Sequence, residues 1–402
     1  MNLISYQEAL SRVLDQVPIP EVEVVPLARS LGRVLATPAR ADMAMPPFEK
    51  SFMDGYALRS QDVQSVPTLL EIVGKVAAGS AQLPRIGRNQ AVQIMTGAPV
   101  PEAADAVQMV EKTRREGHRV EILERVGTGQ HVALRGSEVE EGQIVVEKGQ
   151  RIGPQEIAVL ASFGFSEVET WRPPKVAIVS TGNELVAIEE TPGFGEIRNS
   201  NAHMLWAQCQ ELGLNARIEP IAKDDPQGVR EAIRRALRRE VAVLSGGVSM
   251  GEYDYVHQVL AAEDVEIVFH KTAIKPGKPV LVGCRGGRML FGLPGNPVSA
   301  FVTFMLFVKP ALQKWCGGEP RPFLEVQAEL RQEVRHKPGL QFFMPARARF
   351  AATGITVRPL ETRGSADITG FARANALLSI PAHQERIPEG STVEVLLMEG
   401  RL

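Results

Sequence analysis

Residues 175–182 read KVAIVSTG, an apolar run of buried-strand length that ends in small polar residues. A helix pattern follows, NSNAHMLWAQCQELG at 199–213, and it stops at Gly213. The alternation then repeats. RIEPIAKDD supplies a second strand, Asp225-Pro226 caps the helix PQGVREAIRRALRRE, and VAVLSGGVS is a third strand. A helix is expected from about Tyr253 to Ala262, and VEIVFH, VLVG and MLFGL carry the series on to a Pro294-Gly295-Asn296-Pro297 turn. Over 171–316 this pattern predicts a doubly wound, mostly parallel α/β domain. Such sheets bind ligands beyond the carboxyl ends of their strands.

On the N-terminal side, Trp171-Arg172-Pro173-Pro174 reads as a linker. Residues 1 to about 40 look helical, with breaks at Pro18, Pro20 and Pro38, and ADMAMPPFEKSFMDGYAL reads as a loop. LLEIVGKV, AVQIMTGA, DAVQMVEK and RVEILERV are short β-type runs between glycine turns, which makes 46–139 a β-rich inserted module. QIVVEKG and a helix from Pro154 to Gly164 join 140–170 to 1–45 as a helical linker domain. Beyond Trp315, FLEVQAEL, GLQFFMPARARF, GITVRPL, NALLSI and STVEVLLM predict a small C-terminal β-barrel over 320–402. The fold class is multidomain α/β plus β.

With 402 residues the chain exceeds one ordinary core, and two to four domains are expected. A net charge of -2 offers no electrostatic footprint for nucleic acid. Cys209, Cys284 and Cys316 form neither a CxxC pair nor a disulfide framework, which suits a reducing, cytoplasmic setting. The first segment carries Glu8, Arg12 and Asp15 and reads as an amphipathic helix rather than a signal peptide. Val298 to Val308 is about half a bilayer span and reads as a buried helix. No membrane association is expected.

The chemistry concentrates where the strands end. Strand one ends in Ser180-Thr181-Gly182-Asn183-Glu184, strand two in Lys223-Asp224-Asp225, and strand three in Ser245-Gly246-Gly247-Val248-Ser249, with Glu252 and Asp254 beyond. Lys271, Lys275 and Lys278 lie on a segment stiffened by Pro276 and Pro279, just before a helix start in which Asn296 can cap and Pro297 suits the first position. Cations beside a helix N-terminus make an anion site. Carboxylates such as Glu184, Asp224 and Asp254 do not bind phosphate directly, and they make sense there if Mg²⁺ lies between. Taken singly, Asp224 and Asp225 are equally readable as helix caps. A Walker loop, a G-x-G-x-x-G after the first strand, H-E-x-x-H and zinc-ligand spacing are all missing from the sequence, which disfavours NTPase, nicotinamide-dehydrogenase and zinc-enzyme readings. The arginines at 230, 234, 235, 238 and 239 lie opposite Val229, Ile233 and Leu237, an ordinary solvated face.

SFMDGYAL, IMTGAPVP, STGNEL, SGGVSMGEYDY, AIKPGKP, GLPGNPVSA and RGSADITGFARANAL together resemble the motifs of the molybdopterin molybdenumtransferases, a family similar to the gephyrin E domain. The resemblance runs over essentially the whole chain. It implies an elongated four-part subunit that forms a homodimer. It also implies insertion of molybdate into adenylylated molybdopterin with release of AMP, dependent on Mg²⁺.

Carried over by motif, Asp54 and Thr96 would reach the site from the β module of the partner subunit. Glu184, Asp224 and Asp254 would serve metal and nucleotide, while Lys271, Lys275, Lys278, Ser249, Pro294, Pro297 and Ser299 would line the oxyanion and phosphate region. Ser365 would enter from the C-terminal domain. Two positions depart from the family pattern: Glu138 stands where an aspartate metal ligand is usual, and Phe343-Met344-Pro345 replaces F-x-R, which leaves Arg347 as the substitute arginine. The alternatives are a molybdopterin adenylyltransferase that consumes ATP, which shares the α/β domain and is also a possible contact partner, and a peptide-binding scaffold.

Overall fold

The computed structural model describes residues 3–247, 259–352 and 354–398. Its central sheet has the strand order Ala216–Ile218, Val176–Ser180, Val241–Ser245, Arg288–Leu293, Leu281–Arg285, Glu266–His270. The first four run parallel. Leu281–Arg285 is antiparallel to both neighbours, so a single strand is reversed. The cause is local: Gly286 and Gly287 have φ of 51° and 75°, the paired positive values of a two-residue hairpin turn. Val176–Ser180 and Val241–Ser245 are buried throughout, as strands covered on both faces must be.

One face packs Ala202, Leu205 and Cys209 of the helix Ser200–Glu211 together with Val298 to Leu312. The opposite face packs Val229, Ala232 and Ile233 of the helix Pro226–Ala236. Asp225 caps that helix, its carboxylate accepting from the Gly228 N–H at 2.7 Å. The apolar run after Pro297 is helical and buried, but it does not stop at Pro310. An α-segment Pro297–Thr303 passes into a π-turn Phe304–Val308 and then Lys309–Trp315. Pro310 lacks an N–H and its ring would clash with a carbonyl one turn back, and the wider turn before it accommodates both.

At the N-terminus, among the described residues, only Tyr6–Asp15 is helical up to Leu27, less than the reading of residues 1–40 proposed. Ser5 caps it, accepting from the Glu8 N–H at 3.1 Å. Val22–Pro26 is instead a strand paired antiparallel with Glu167–Trp171, because the β-branched valines of VEVV, behind the Pro18 and Pro20 breaks, favour extended backbone. The β-rich module is a six-stranded sheet ordered Ala106–Met109, Gly55–Leu58, Gln90–Ile94, Thr68–Val76, Arg119–Ile122, Thr113–Glu116. GYAL, read as loop, is a fully buried inner strand of it.

In the C-terminal part, Leu324–Leu330, Gln341–Ala351, Gly354–Pro359, Ala376–Ile380 and Thr392–Leu397 close into a five-stranded barrel. Each strand pairs with two others in the ring. Among the described residues no helix is long and apolar enough to cross a membrane.

These parts share a core. Tyr6 packs edge-on against Phe307 of the long helix at 5.9 Å and Phe343 of the barrel at 5.5 Å. Lys314 donates to the Leu14 carbonyl at 2.8 Å. Ile274–Lys275 runs parallel to Gln341–Phe342 and so joins the barrel's sheet. On the other side Arg172 holds Glu21 at 2.8 Å and Glu240 at 3.0 Å, tying the N-terminal strand to the α/β part.

Phe307 is fully buried where the first helix, the long helix and the central sheet meet. Phe307→Ala should therefore lower stability by about 3–5 kcal/mol, the usual cost of removing a core phenyl. Chemical denaturation followed by tryptophan fluorescence would read this, and a loss below about 1 kcal/mol would show that the core is not shared there.

Candidate functional site

The strand ends converge as the topology requires. Ser180, Thr181, Gly182, Glu184, Asp224, Ser245, Gly246, Gly247, Pro294 and Pro297 all line one cavity of about 540 Å³. Gly246 has φ of 90°, and a Cβ there would fall 2.5 Å from the Thr181 carbonyl oxygen, so only glycine brings these two loops together. The floor is a small hydrogen-bond network. Asn199 accepts from the Ser180 hydroxyl at 2.8 Å, and Asn201 donates to Ser245 Oγ at 2.9 Å and to the Gly295 carbonyl at 2.7 Å. Asn199 and Asn201 were not singled out from the sequence, although their place at a helix start just after a strand marks them.

Asp224 and Asp225 divide the two roles that their sequence left open. Asp225 is the helix cap, whereas Asp224 lines the cavity and its N–H donates to Asn183 Oδ1 at 3.2 Å. Glu184 sits in a turn rather than at a helix start, its carbonyl accepting from the Ile197 N–H at 2.8 Å. Among the described residues no group of three or more His, Cys, Asp or Glu side chains could hold a metal ion. Two carboxylates facing one cavity are nonetheless the protein share that Mg²⁺ ordinarily takes when phosphates supply further oxygens. Glu184 and Asp224 fit that donor set.

A second cavity of about 730 Å³ adjoins the first, and Pro279, Pro294 and Asn296 line both. It lies between the α/β part and the barrel, with Lys275, Lys278, Ser299 and Ser365 on its wall beside Phe342, Pro345 and Glu361. The Lys275 ammonium stands over the Phe342 ring at 4.6 Å, which holds the cation in place. Phe342 could not have been found from the sequence, because the contact depends on the pairing of two distant segments. Asn296 is the residue before the helix, but its side chain does not cap it. It donates instead to Ser365 Oγ at 3.0 Å, and the Val298 N–H donates to the Ser365 carbonyl at 3.1 Å. The capping expectation therefore fails, since the barrel satisfies the helix start.

Other expected residues lie elsewhere in the chain. Asp54 and Thr96 are joined, the Asp54 carboxylate accepting from the Thr96 N–H at 2.7 Å and its hydroxyl at 2.9 Å, but both are exposed and line neither cavity. Glu138 pairs with Lys50 at 3.2 Å on the same module. Lys271 precedes the cavity wall, its N–H donating to the Val280 carbonyl, and lines neither cavity. Arg347 lies two residues beyond Pro345 on its strand, lines neither cavity, is exposed and donates to the Arg373 carbonyl at 3.0 Å. It does not replace an arginine at Pro345 in this geometry. Ser249 and Asp254 lie outside the described residues. Burial pushes the Cys209 thiol up to about 12 and the Cys284 thiol to about 11, so neither is a poised nucleophile.

The amide and hydroxyl of Thr96 hold the Asp54 carboxyl below the usual carboxylate range. A lowered folded pKa contributes stability above the ordinary carboxylate range, and that contribution is lost as pH falls through the folded value. Thr96→Val removes only the hydroxyl. Asp54 should then titrate at a higher pH than in the wild type, by carboxyl NMR, and an unchanged titration would contradict this assignment.

Comparison with known proteins agrees with this layout. Residues 4–164 match the MoeA N-terminal region (domain I and II), 177–314 a probable molybdopterin binding domain, and 327–398 the MoeA C-terminal region (domain IV). The molybdopterin molybdenumtransferase of Staphylococcus aureus (strain Mu50) is 34% identical over 405 residues, covering 99% of this chain and 96% of that protein. A Staphylococcus epidermidis (strain ATCC 12228) protein of the same name is 34% identical over 403 residues, with the same coverage. The crystal structure of a molybdopterin biosynthesis MoeA protein from Pyrococcus horikosii superposes with a TM-score of 0.85 at 32% identity, covering 99% of this chain and all of that one. With three consecutive regions matched in order and relatives aligned from end to end, the chain belongs to the molybdopterin molybdenumtransferase family of molybdenum cofactor biosynthesis enzymes.

Proposed function

We propose that this enzyme inserts molybdate into adenylylated molybdopterin and releases AMP in a Mg²⁺-dependent step. The observation that carries the reading is the pair of adjoining cavities, one edged by carboxylates and phosphate-sized backbone loops, the other by lysines and serines. The nucleotide and pyrophosphate belong in the first, against Ser245, Gly246 and Gly247. Molybdate belongs in the second, held by Lys275, Lys278, Ser299 and Ser365. Both reactants are anions, and their approach costs Coulomb repulsion that fixed cations offset. When bound by Glu184 and Asp224, Mg²⁺ supplies positive charge to the phosphate oxygens. Lys275 and Lys278 orient the oxyanion toward the shared wall. The cysteines are held as thiols, and no covalent protein intermediate is required.

An adenylyltransferase reading uses the same α/β sheet but gives no role to Ser365, which the barrel contributes to the second cavity. A scaffold reading needs an apolar groove between the α/β part and the barrel; Phe342, Met344 and Leu360 give this cavity such a wall, but that reading leaves Lys275, Lys278, Ser299 and Ser365 beside it without a role. Asp54 and Thr96 lie outside both cavities of their own chain, with Phe52 exposed beside them, which favours a homodimer in which each β module serves the partner's site. A cytoplasmic location suits three free cysteines.

AMP release from adenylylated molybdopterin should require both molybdate and Mg²⁺. Lys275→Ala should raise the molybdate KM about tenfold or more, as loss of a charge-assisted hydrogen bond implies, and leave the Mg²⁺ requirement unchanged. Asp224→Asn should do the reverse. AMP release that ignores molybdate, or the same kinetic change in both variants, would refute the division between the cavities.

The dimer has its own test. Neither Asp54→Asn nor Lys275→Ala protein should turn over well alone, whereas co-expressed mixed dimers should recover activity because one complete site forms. No recovery in verified mixed dimers would contradict a site shared between subunits.

A further inference from the structure

Phe194 has no place in the proposed site as described so far. It is the most exposed large apolar side chain among the described residues, at 109% relative exposure, and it is not on a loose tether. The Glu196 N–H donates to the Gly193 carbonyl at 3.2 Å, and the Glu196 carboxylate accepts from the Gly193 N–H at 2.8 Å. This closes a turn over Gly193–Glu196, with Gly195 at φ 83° as its third residue. Arg198 secures the base of the loop by donating to the Glu190 carbonyl at 2.9 Å. The fold thus holds a phenyl ring out in water, where it gains no burial.

The loop is rooted at the first cavity. Leu185–Val186 and Ile197–Arg198 pair as a two-stranded ribbon, and Leu185, Ile197 and Arg198 line the cavity wall. Phe194 is three residues from Ile197, so its backbone lies within about 10 Å of the mouth. Among the described residues that line this cavity there is no aromatic side chain. The apolar surface for a flat ring is confined to Leu185, Ile197, the prolines and Ala366. A purine needs a face to stack on, and an aromatic ring is the usual platform.

We propose that Phe194 is the stacking residue for the adenine of the nucleotide half of the substrate, a platform held outside the cavity for the base that emerges between Leu185 and Ile197. This rests on the placement of the nucleotide in the first cavity. It assigns Phe194 a role in binding and base preference rather than in the chemical step. A larger ring at this position should keep the function, and a methyl group should lose it.

The probes are AMP and ribose 5-phosphate, titrated calorimetrically against the full-length protein with Mg²⁺. Wild type should bind both, and Phe194→Ala should bind AMP about tenfold more weakly, in the range for loss of a base-stacking partner. Its affinity for ribose 5-phosphate, which lacks the base, should not change. Phe194→Trp should restore AMP affinity, and its added indole should respond to AMP and not to ribose 5-phosphate.

Unchanged AMP affinity in Phe194→Ala, with wild type binding normally, would overturn this role and leave the cavity assignment standing. Failure of wild type to bind AMP would overturn both. Equal weakening of both probes, or an altered sedimentation of Phe194→Ala in place of a base effect, would assign the ring to loop folding or a protein contact and also overturn it.

Discussion

The bond from the Val298 N–H to the Ser365 carbonyl, together with Asn296 to Ser365 Oγ, decides where everything else can sit. It fastens the start of the long buried helix to the barrel. The parallel pairing of Ile274–Lys275 with Gln341–Phe342 fastens the lysine segment to the same barrel a short distance away. With both attachments made, Pro279, Pro294 and Asn296 become a wall common to two cavities. Polar groups at the end of a helix must find partners, and here those partners come from a different part of the chain. The local requirement of one helix terminus thereby fixes the relation between two structural units.

That wall separates two linings of different balance, with Arg198 also on the first and Glu361 also on the second. Glu184 and Asp224 face one side, and Lys275, Lys278, Ser299 and Ser365 face the other. Under the proposed function, the arrangement would keep a nucleotide's phosphates and an oxyanion close without placing both in a single uniform field. Interactions between charges a few ångströms apart, in a site with reduced solvent, are worth several times their value in bulk water. Pro276, Pro279, Pro294 and Pro297 in these loops reduce the backbone freedom that would otherwise have to be lost on binding.

The central sheet was readable because buried parallel strands leave continuous apolar runs such as VAIVS and VAVLS, and a capped helix start leaves Asp225-Pro226. The barrel strands were readable from their alternation. What failed did so for identifiable reasons. VEVV after two prolines was absorbed into a helical N-terminus, and GYAL was hidden in a proline-rich context although it is a buried inner strand. The reversal of Leu281–Arg285 was signalled by Gly286-Gly287 but outweighed by the alternating pattern around it. At the site, residues on the strand-end loops could be placed because topology brings them to one edge. Arg347 could not, since a shift of two residues along a strand carried its guanidinium to the Arg373 carbonyl. Phe342 under Lys275 and the bonds to Ser365 depend on contacts between distant segments, which no local pattern encodes.

The most direct test of this account is diffraction from a crystal of the protein soaked with AMP, Mg²⁺ and molybdate, with data collected at the molybdenum absorption edge. The anomalous peak should lie between Lys275, Lys278, Ser299 and Ser365, with the AMP phosphate across the Pro294–Asn296 wall beside Gly246 and Gly247. Molybdenum on the Glu184 side, or both anions in the same cavity, would contradict it.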